Sequence, residues 1–155
     1  MPLHPLVVHF SISFICVFAL ICIASVFSSR FFRRLDGIIP TLAIISGALI
    51  LLGKETGELL AERTTEVDWH QHGQWADFLT GSTFVLDFCA VLWWVLSSEG
   101  KINNFVIDRI PQKFTFLTSV VFLRVLEYFI VVFSLLVLFF VFLTGHSGAQ
   151  LVWIK

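Results

Sequence analysis

The sequence predicts an all-α integral membrane protein, a four-helix bundle with both termini on the periplasmic side and an extra interfacial helix before the last span. Hydrophobic residues make up 57% of the 155-residue chain and charged residues only 14%. A soluble domain of this size cannot bury that much apolar surface. Four apolar stretches, at about residues 6–27, 38–60, 76–96 and 125–145, are each close to the roughly 20 residues that cross a bilayer. We treat residues 1–155 as a single membrane domain.

The first span is free of charged residues and follows Pro5, which suits the first helical turn because its missing N–H would have no partner there. The second span is apolar as far as Leu52 and then continues as a charged, helix-compatible segment. Gly53 and Gly57 lie four residues apart on one face of that segment, which would let another helix approach closely. An ordinary solvated helix end is the alternative interpretation.

The third span carries Asp87 near its middle. A carboxylate at that depth is costly in lipid, so it must face the bundle, either in a proton relay or hydrogen-bonded to a neighbouring helix. The last apolar stretch is longer than one span requires and contains Arg124 and Glu127. We therefore assign the part before them to an interfacial helix, and expect residues 145–148 to end the final span.

The distribution of lysine and arginine predicts the orientation. Seven of these residues fall in or near the loops after the first and third spans, and three on the opposite side, namely Lys54, Arg63 and Lys155. Because positively charged loops stay in the cytoplasm, the termini face outward, which is the periplasm in a Gram-negative cell. We expect a multi-pass protein of the bacterial inner membrane, in contact with the lipid bilayer. The net charge of −1 argues against nucleic acid as a partner.

All five histidines lie on the outward side in this topology. His4 and His9 begin the first span, His70 and His72 begin the third, and His146 lies at the end of the fourth. On an ideal helix His4 and His9 point about 140° apart, so they cannot easily bind one ion together, whereas histidines of separate helices can. His70 and His72 also face different ways, and we expect His72 to join a shared site.

The candidate ligands of a cofactor or metal ion are therefore His4, His9, His72 and His146. Two imidazoles from facing helices at equal depth are what a b-type haem needs, and a Phe-rich wall suits a porphyrin. Copper or zinc is the alternative, since neutral imidazoles bind both. In a third interpretation the histidines only bond backbone carbonyls at helix ends, and the chain is a cofactor-free structural subunit of a larger membrane complex.

The sequence contains no nucleophile–base pair with catalytic spacing, no nucleotide-binding loop and no evident repeat. Cys16, Cys22 and Cys89 lie inside apolar runs and are interpreted as small apolar residues. The sequence thus favours an electron carrier or accessory subunit over a catalyst. The leading hypothesis is a b-type cytochrome-like protein or electron-transfer subunit, with the haem near the periplasmic face.

Three segments resemble a known family. They are His4-Pro5-Leu6-Val7-Val8-His9-Phe10, His72-Gly73-Gln74-Trp75 and Gly145-His146-Ser147-Gly148-Ala149-Gln150-Leu151-Val152. The chain resembles, over its whole length, the bacterial domain-of-unknown-function family twenty-two thirty-one (DUF2231), small four-helix inner-membrane proteins. Some relatives occur beside or fused to cytochrome c modules, which implies electron transfer with a cytochrome c or larger respiratory complex as partner.

The resemblance places the same four histidines, His4, His9, His72 and His146, at family positions. The chain departs from the family pattern at two other places. Ser11 stands where a proline is common, and Ala149 stands where a glycine is usual. Neither departure changes a histidine, so the haem hypothesis is unaffected by them.

Overall fold

Four long helices form the protein. The structure is a computed structural model that describes residues 3–35, 37–64, 68–97 and 101–153. Its long helices are α1 (Leu3–Phe27), α3 (Ile38–Arg63), α4 (His70–Ser97) and α6 (Val120–Trp153), each long and apolar enough to cross a membrane. Short helices α2 (Ser29–Arg34) and α5 (Lys101–Ile107) and a 3-10 helix (Gln112–Thr118) lie between them. The prediction of an all-α bundle with four membrane-spanning helices is confirmed.

The four long helices pack in a closed ring. In this ring α1 contacts α3, α3 contacts α4, α4 contacts α6 and α6 contacts α1, while α1 and α4 also touch across the centre. Neighbouring helices are antiparallel, so α1 and α4 begin at the end of the bundle where α3 and α6 finish. We call this the histidine end. The opposite end, which carries Arg33, Arg34 and Arg124, is the arginine end; Lys155, used for the orientation, lies outside the described residues.

The turn at the arginine end is shaped by two short-range features. Ser28 caps α2 by accepting a hydrogen bond from the Phe31 N–H at 3.3 Å. Gly37, which precedes α3, has a φ of 78°, a conformation that a residue with a Cβ rarely adopts. Helix α2 thereby directs Phe32 into the bundle, where its ring lies 4.3 Å from that of Trp93. This contact closes the core at that end.

Small and polar side chains face inward, and many bulky ones face outward. The serines at positions 11, 25, 46 and 134 are almost fully buried beside aliphatic residues, whereas Phe10, Leu20 and Phe142 are more than half exposed. This arrangement is typical of membrane bundles, because lipid is as apolar as the core and close packing, not removal of water, holds the helices together.

The two helix hairpins, α1 with α3 and α4 with α6, repeat one another. Three buried residues follow His4 by 11, 14 and 18 positions, and three follow His72 at the same spacings: Ile15, Phe18 and Cys22, and Thr83, Leu86 and Ala90. Three buried residues likewise precede Gly57 and Gly148 by 18, 14 and 11 positions: Ile39, Ala43 and Ser46, and Ile130, Ser134 and Val137. The sequence predicted no repeat, and the structure adds one in the pattern of burial alone. The pattern is one of burial and not of residue identity, which hides it from the sequence.

The last helix does not stop where the sequence suggested. Residues 145–148 were expected to end it, but α6 continues through them to Trp153. Gly145 and Gly148 therefore lie inside the helix. The reason is tertiary, because the backbone at Gly148 is in contact with the ring of His72, and this packing outweighs the weak helical preference of glycine.

The packing of the core predicts that two Phe→Ala substitutions in α1 lower the free energy of unfolding by different amounts. Phe18 is 1% exposed, whereas Phe10 is 63% exposed. Phe18→Ala should lower the free energy of unfolding by about 3 kcal/mol, because neighbouring helices cannot fill the space that the ring leaves. Phe10→Ala is the matched control, and lipid or detergent tails can replace its ring. Unfolding of the detergent-solubilised protein by a denaturing detergent measures both; equal losses would contradict this packing.

Candidate functional site

His4 occupies a defined seat formed by α3. The imidazole is half-buried, and its Nδ1 lies 3.0 Å from the Oγ1 of Thr56. The ring rests on the backbone of Gly57, where an added Cβ would lie 3.0 Å from the His4 Cε1. The Thr56 hydroxyl is 2.9 Å from the carbonyl oxygen of Leu52. Because its one hydrogen is donated within α3, this hydroxyl accepts a hydrogen bond from the His4 Nδ1–H.

His72 occupies the equivalent seat formed by α6. Its ring is also half-buried, and its Nδ1 lies 3.1 Å from the Oγ of Ser147. An added Cβ at Gly148 would lie 3.1 Å from the His72 Cε1. The Ser147 hydroxyl donates to the carbonyl of Thr144 at 3.1 Å. It therefore accepts from the Nδ1–H of His72, as Thr56 does from His4.

These two hydrogen bonds favour the tautomer with the proton on Nδ1 in both histidines, and the His72 ring also hydrogen-bonds the backbone of Thr144. With the proton held on Nδ1, the Nε2 atom of each neutral ring keeps its lone pair and can bind a metal. His4 and His72 begin the two parallel helices that touch across the bundle, and they are close enough to act on each other electrostatically. The histidine end thus presents two equivalent, oriented imidazoles.

The structure places His9 and His146 on the outside of the bundle. His9 is exposed, and its Nδ1 bonds the carbonyl of Pro5 in its own helix. His146 is exposed, lies parallel to the ring of Phe142 at 6.0 Å, and its Nε2 is 3.0 Å from the side-chain nitrogen of Gln150. The structure therefore brings His4 and His72 together, and leaves the other two predicted ligands at the surface facing away from them.

The start of α4 separates His70 from His72. His70 is exposed, and its backbone N–H donates to the Asp68 carboxylate at 3.0 Å, an N-capping contact. Trp69 packs edge-on against the ring of His72 at 6.3 Å, and its indole N–H donates to the carbonyl of Thr64 at 3.1 Å. This anchored indole covers one side of the His72 seat.

An aromatic wall continues below this site. Phe140 of α6 stacks on Trp75 at 6.2 Å and on Phe78 at 5.6 Å. On the neighbouring interface, Lys54 of α3 forms an ion pair with Asp77 of α4 at 2.7 Å. These contacts hold α4 between its two neighbours, so the position of His72 is set by two interfaces at once.

The site offers a small donor set. Within the ranges that the structure describes, no group of three or more His, Cys, Asp or Glu side chains could hold a metal ion. Two imidazoles alone do not complete the four-coordinate shell that structural zinc prefers. They do match a ligand that needs two nitrogen donors.

Sequence reasoning missed the four residues that seat the histidines, which are Thr56, Gly57, Ser147 and Gly148. The signal was present, since each pair is a hydroxyl residue followed by glycine near the end of an apolar helix. Gly57 was noted as a point of close helix approach, but the structure shows that the ring of His4 makes the approach. Only the antiparallel packing of the hairpins reveals the pairing.

Comparison with known proteins now assigns the chain. The family described as Predicted membrane protein (DUF2231) matches residues 1–155. The chain belongs to the DUF2231 family. The resemblance inferred from the histidine motifs is thus confirmed, and this DUF2231 protein is a multi-pass membrane protein. The chain has no match among curated proteins and none among solved structures.

The glycine seats make a prediction about stability. Gly148→Ala places a Cβ 3.1 Å from the His72 ring, whereas Gly145→Ala, in the same helix, meets nothing within 4 Å. The first change should displace His72 and lower the melting temperature of the purified protein. The second should leave it unchanged or raise it, because alanine favours a helix over glycine by about 1 kcal/mol. Melting curves that rank the two variants in the opposite order would show that the ring does not rest on Gly148.

Proposed function

We propose that this DUF2231 protein is a b-type cytochrome-like membrane protein in which His4 and His72 hold a haem at the histidine end. The observation that carries this proposal is the pair of similar seats, each of which holds an imidazole by a hydrogen bond at Nδ1. A haem iron bound by four porphyrin nitrogens can take two further ligands from the protein, and His4 and His72, on separate helices, would supply them.

The surrounding residues fit this role. Hydrogen bonds from the Nδ1–H of His4 and His72 to Thr56 and Ser147 orient the rings and raise their basicity as ligands. The glycines beneath the rings leave room for the imidazoles to lie close to the helix backbones. Trp69 and the Trp75–Phe140 stack exclude water from one flank. A bound haem would supply one-electron redox chemistry, and these residues would orient it and tune its potential.

The proposal assigns no ligand role to His9 or His146, because both are exposed and face away from the seats. Copper remains a second candidate, favoured by the same observation, since a pair of imidazoles suits this ion better than a four-coordinate zinc centre. A cofactor-free structural subunit is the third candidate, and it would leave the two oriented rings without a ligand.

In this proposal the protein carries electrons and does not catalyse a reaction of its own. It lies in the bacterial inner membrane with the histidine end toward the periplasm, where a cytochrome c or a larger respiratory complex exchanges electrons with it. The excess of positive residues at the arginine end supports this orientation. The position of both seats in the first turns of α1 and α4 would keep the haem within reach of such a partner.

The haem proposal predicts a spectrum. The protein purified from cells supplied with haem should show the reduced-minus-oxidised difference bands of a six-coordinate b-type haem. His4→Ala and His72→Ala should each abolish those bands or convert the iron to a five-coordinate form, because each removes an axial ligand. His9→Ala and His146→Ala are matched controls and should keep the wild-type spectrum.

Metal analysis of the same samples separates the candidates. A colourless wild-type protein with one copper per chain would support the copper candidate in place of the haem proposal, provided that His4→Ala removes the ion. A colourless protein that holds neither haem nor copper would support the third candidate, the cofactor-free structural subunit. Loss of the bands in His146→Ala but not in His72→Ala would contradict the assignment of ligands.

The orientation is tested separately. We expect alkaline phosphatase fused after residue 155 to be active, since this enzyme functions only in the periplasm, and the same reporter fused within the loop after α1 to be inactive. Activity at the loop position alone would invert the proposed topology and place the histidine end in the cytoplasm. This result does not depend on whether a haem is bound.

A further inference from the structure

A second polar cluster lies in the middle of the bundle, away from the histidine seats. Asp87 of α4 is 8% exposed, and both of its carboxyl oxygens are buried with no charged partner among the described residues. Ser46 of α3 adjoins this carboxyl, and a Cβ added at Gly47 would lie 3.3 Å from the Asp87 Oδ2. The carboxyl therefore points into the interface between α3 and α4.

Ser134 of α6 lies at the same depth. Along the antiparallel pair of α4 and α6, His72 faces Gly148 and Phe78 stacks on Phe140. Continuing this register places Ser134 within about one helical turn of Asp87. Ser46 and Ser134 are both fully buried. The Ser46 hydroxyl is within hydrogen-bonding reach of the Asp87 carboxyl, whereas the Ser134 hydroxyl lacks a partner within the described residues. Asp87 and Ser46 thus adjoin one another in the core, and Ser134 lies at a similar depth.

Among the residues that the structure describes, none with a positive charge acts on the Asp87 carboxyl. From α1 the neighbouring titratable group is the thiol of Cys22, which interacts with Asp87. Helix α3 contributes Ser46 and Gly47, and α6 contributes Ser134, none of which carries a charge. An unpaired carboxylate in a membrane core is strongly disfavoured, so the carboxyl is retained there as the protonated acid.

A cavity lies beyond this layer, at the arginine end. Its volume is about 610 Å³, and its lining includes Ser25, Phe32, Trp93, Arg124 and Glu127. Trp93 lies six residues beyond Asp87 along α4, a rise of about 9 Å. Ser25 lies one turn beyond Cys22 on the same face of α1, is 1% exposed, and has a hydroxyl without a partner among the described residues.

We propose that Asp87, with Ser46, is a proton-binding site in the membrane core that exchanges its proton, by way of Ser25, with water in the cavity at the arginine end. The step is a proton transfer alone: the carboxylic acid releases H⁺ toward the cavity and the carboxylate takes it back, with no change of oxidation state. The hydroxyls of Ser25 and Ser46 can each donate and accept a hydrogen bond, as a relay requires. The site does not depend on a haem at the histidine end.

The first test uses dicyclohexylcarbodiimide, which adds to a protonated carboxyl in an apolar environment and forms a stable acylurea. In the full chain reconstituted in lipid nanodiscs, peptide mass spectrometry should find Asp87 modified at neutral pH. Asp77, which is water-exposed and paired with Lys54, should remain unmodified and serves as the internal control. Modification of Asp87 should fall as the pH is raised, and Asp87→Asn should lose it.

A wild-type protein with no modification at Asp87 at neutral pH would overturn the proposal, and this outcome requires no variant to fold. Protection of Asp87 by sodium ions at constant pH would also overturn it, because the site would then bind a metal cation and not a proton.

The second test addresses the route. Difference infrared spectroscopy after a pH jump in D₂O follows the carbonyl stretch of the protonated Asp87. Ser25→Ala removes one buried hydroxyl and should slow the exchange about tenfold or more, a modest value for the loss of one proton-transfer group. Ser13→Ala is the matched control, because Ser13 is an exposed serine of the same helix that bonds only the carbonyl of His9. Equal rates in the two variants would contradict the route through Ser25.

Discussion

A hydrocarbon solvent offers no hydrogen bond, and this constraint governs how the chain uses its polar residues. Each polar side chain inside the bundle must bond a neighbour, lie protonated or serve a function. Ser11 meets this requirement by donating to the carbonyl of Leu49 on the adjacent helix at 3.1 Å. Thr56 and Ser147 meet it by bonding their own helices and accepting from a histidine. Asp87 has no charged partner among the described residues and meets it as a protonated acid beside Ser46.

The repeat of one hairpin arrangement explains why the histidine end contains two similar histidine seats. Each hairpin places a histidine at the start of its first helix and a hydroxyl–glycine pair near the end of its second. Assembly of the two hairpins then brings these two imidazoles to the same depth in the bundle. Close packing of a ring on glycine provides the specificity that the hydrophobic effect cannot provide between helices in lipid. The opposite end lacks this repetition and carries a polar cavity instead.

Several features could be read from the chain alone because they depend on local chemistry. The number of spans follows from runs of apolar residues. That only one of His70 and His72 could join a shared site followed from the helical period, and in the structure His72 is half-buried while His70 is exposed. The prediction that His4 and His9 point in different directions also followed from the helical period. The pairing of His4 with His72, out of four candidates, could not be derived in this way, because it depends on which helices contact across the bundle.

The sequence by itself determined that the chain is a helical membrane protein with its histidines at one end, since composition and the period of the α-helix suffice for both. The tertiary structure alone decided which rings face each other, that Gly57 and Gly148 lie beneath them, and that α6 continues past Gly148. It also revealed the repeat of the two hairpins. The physical reason is that these features are contacts between helices distant in the chain, and in lipid such contacts depend on the fit of surfaces and not on hydrophobicity.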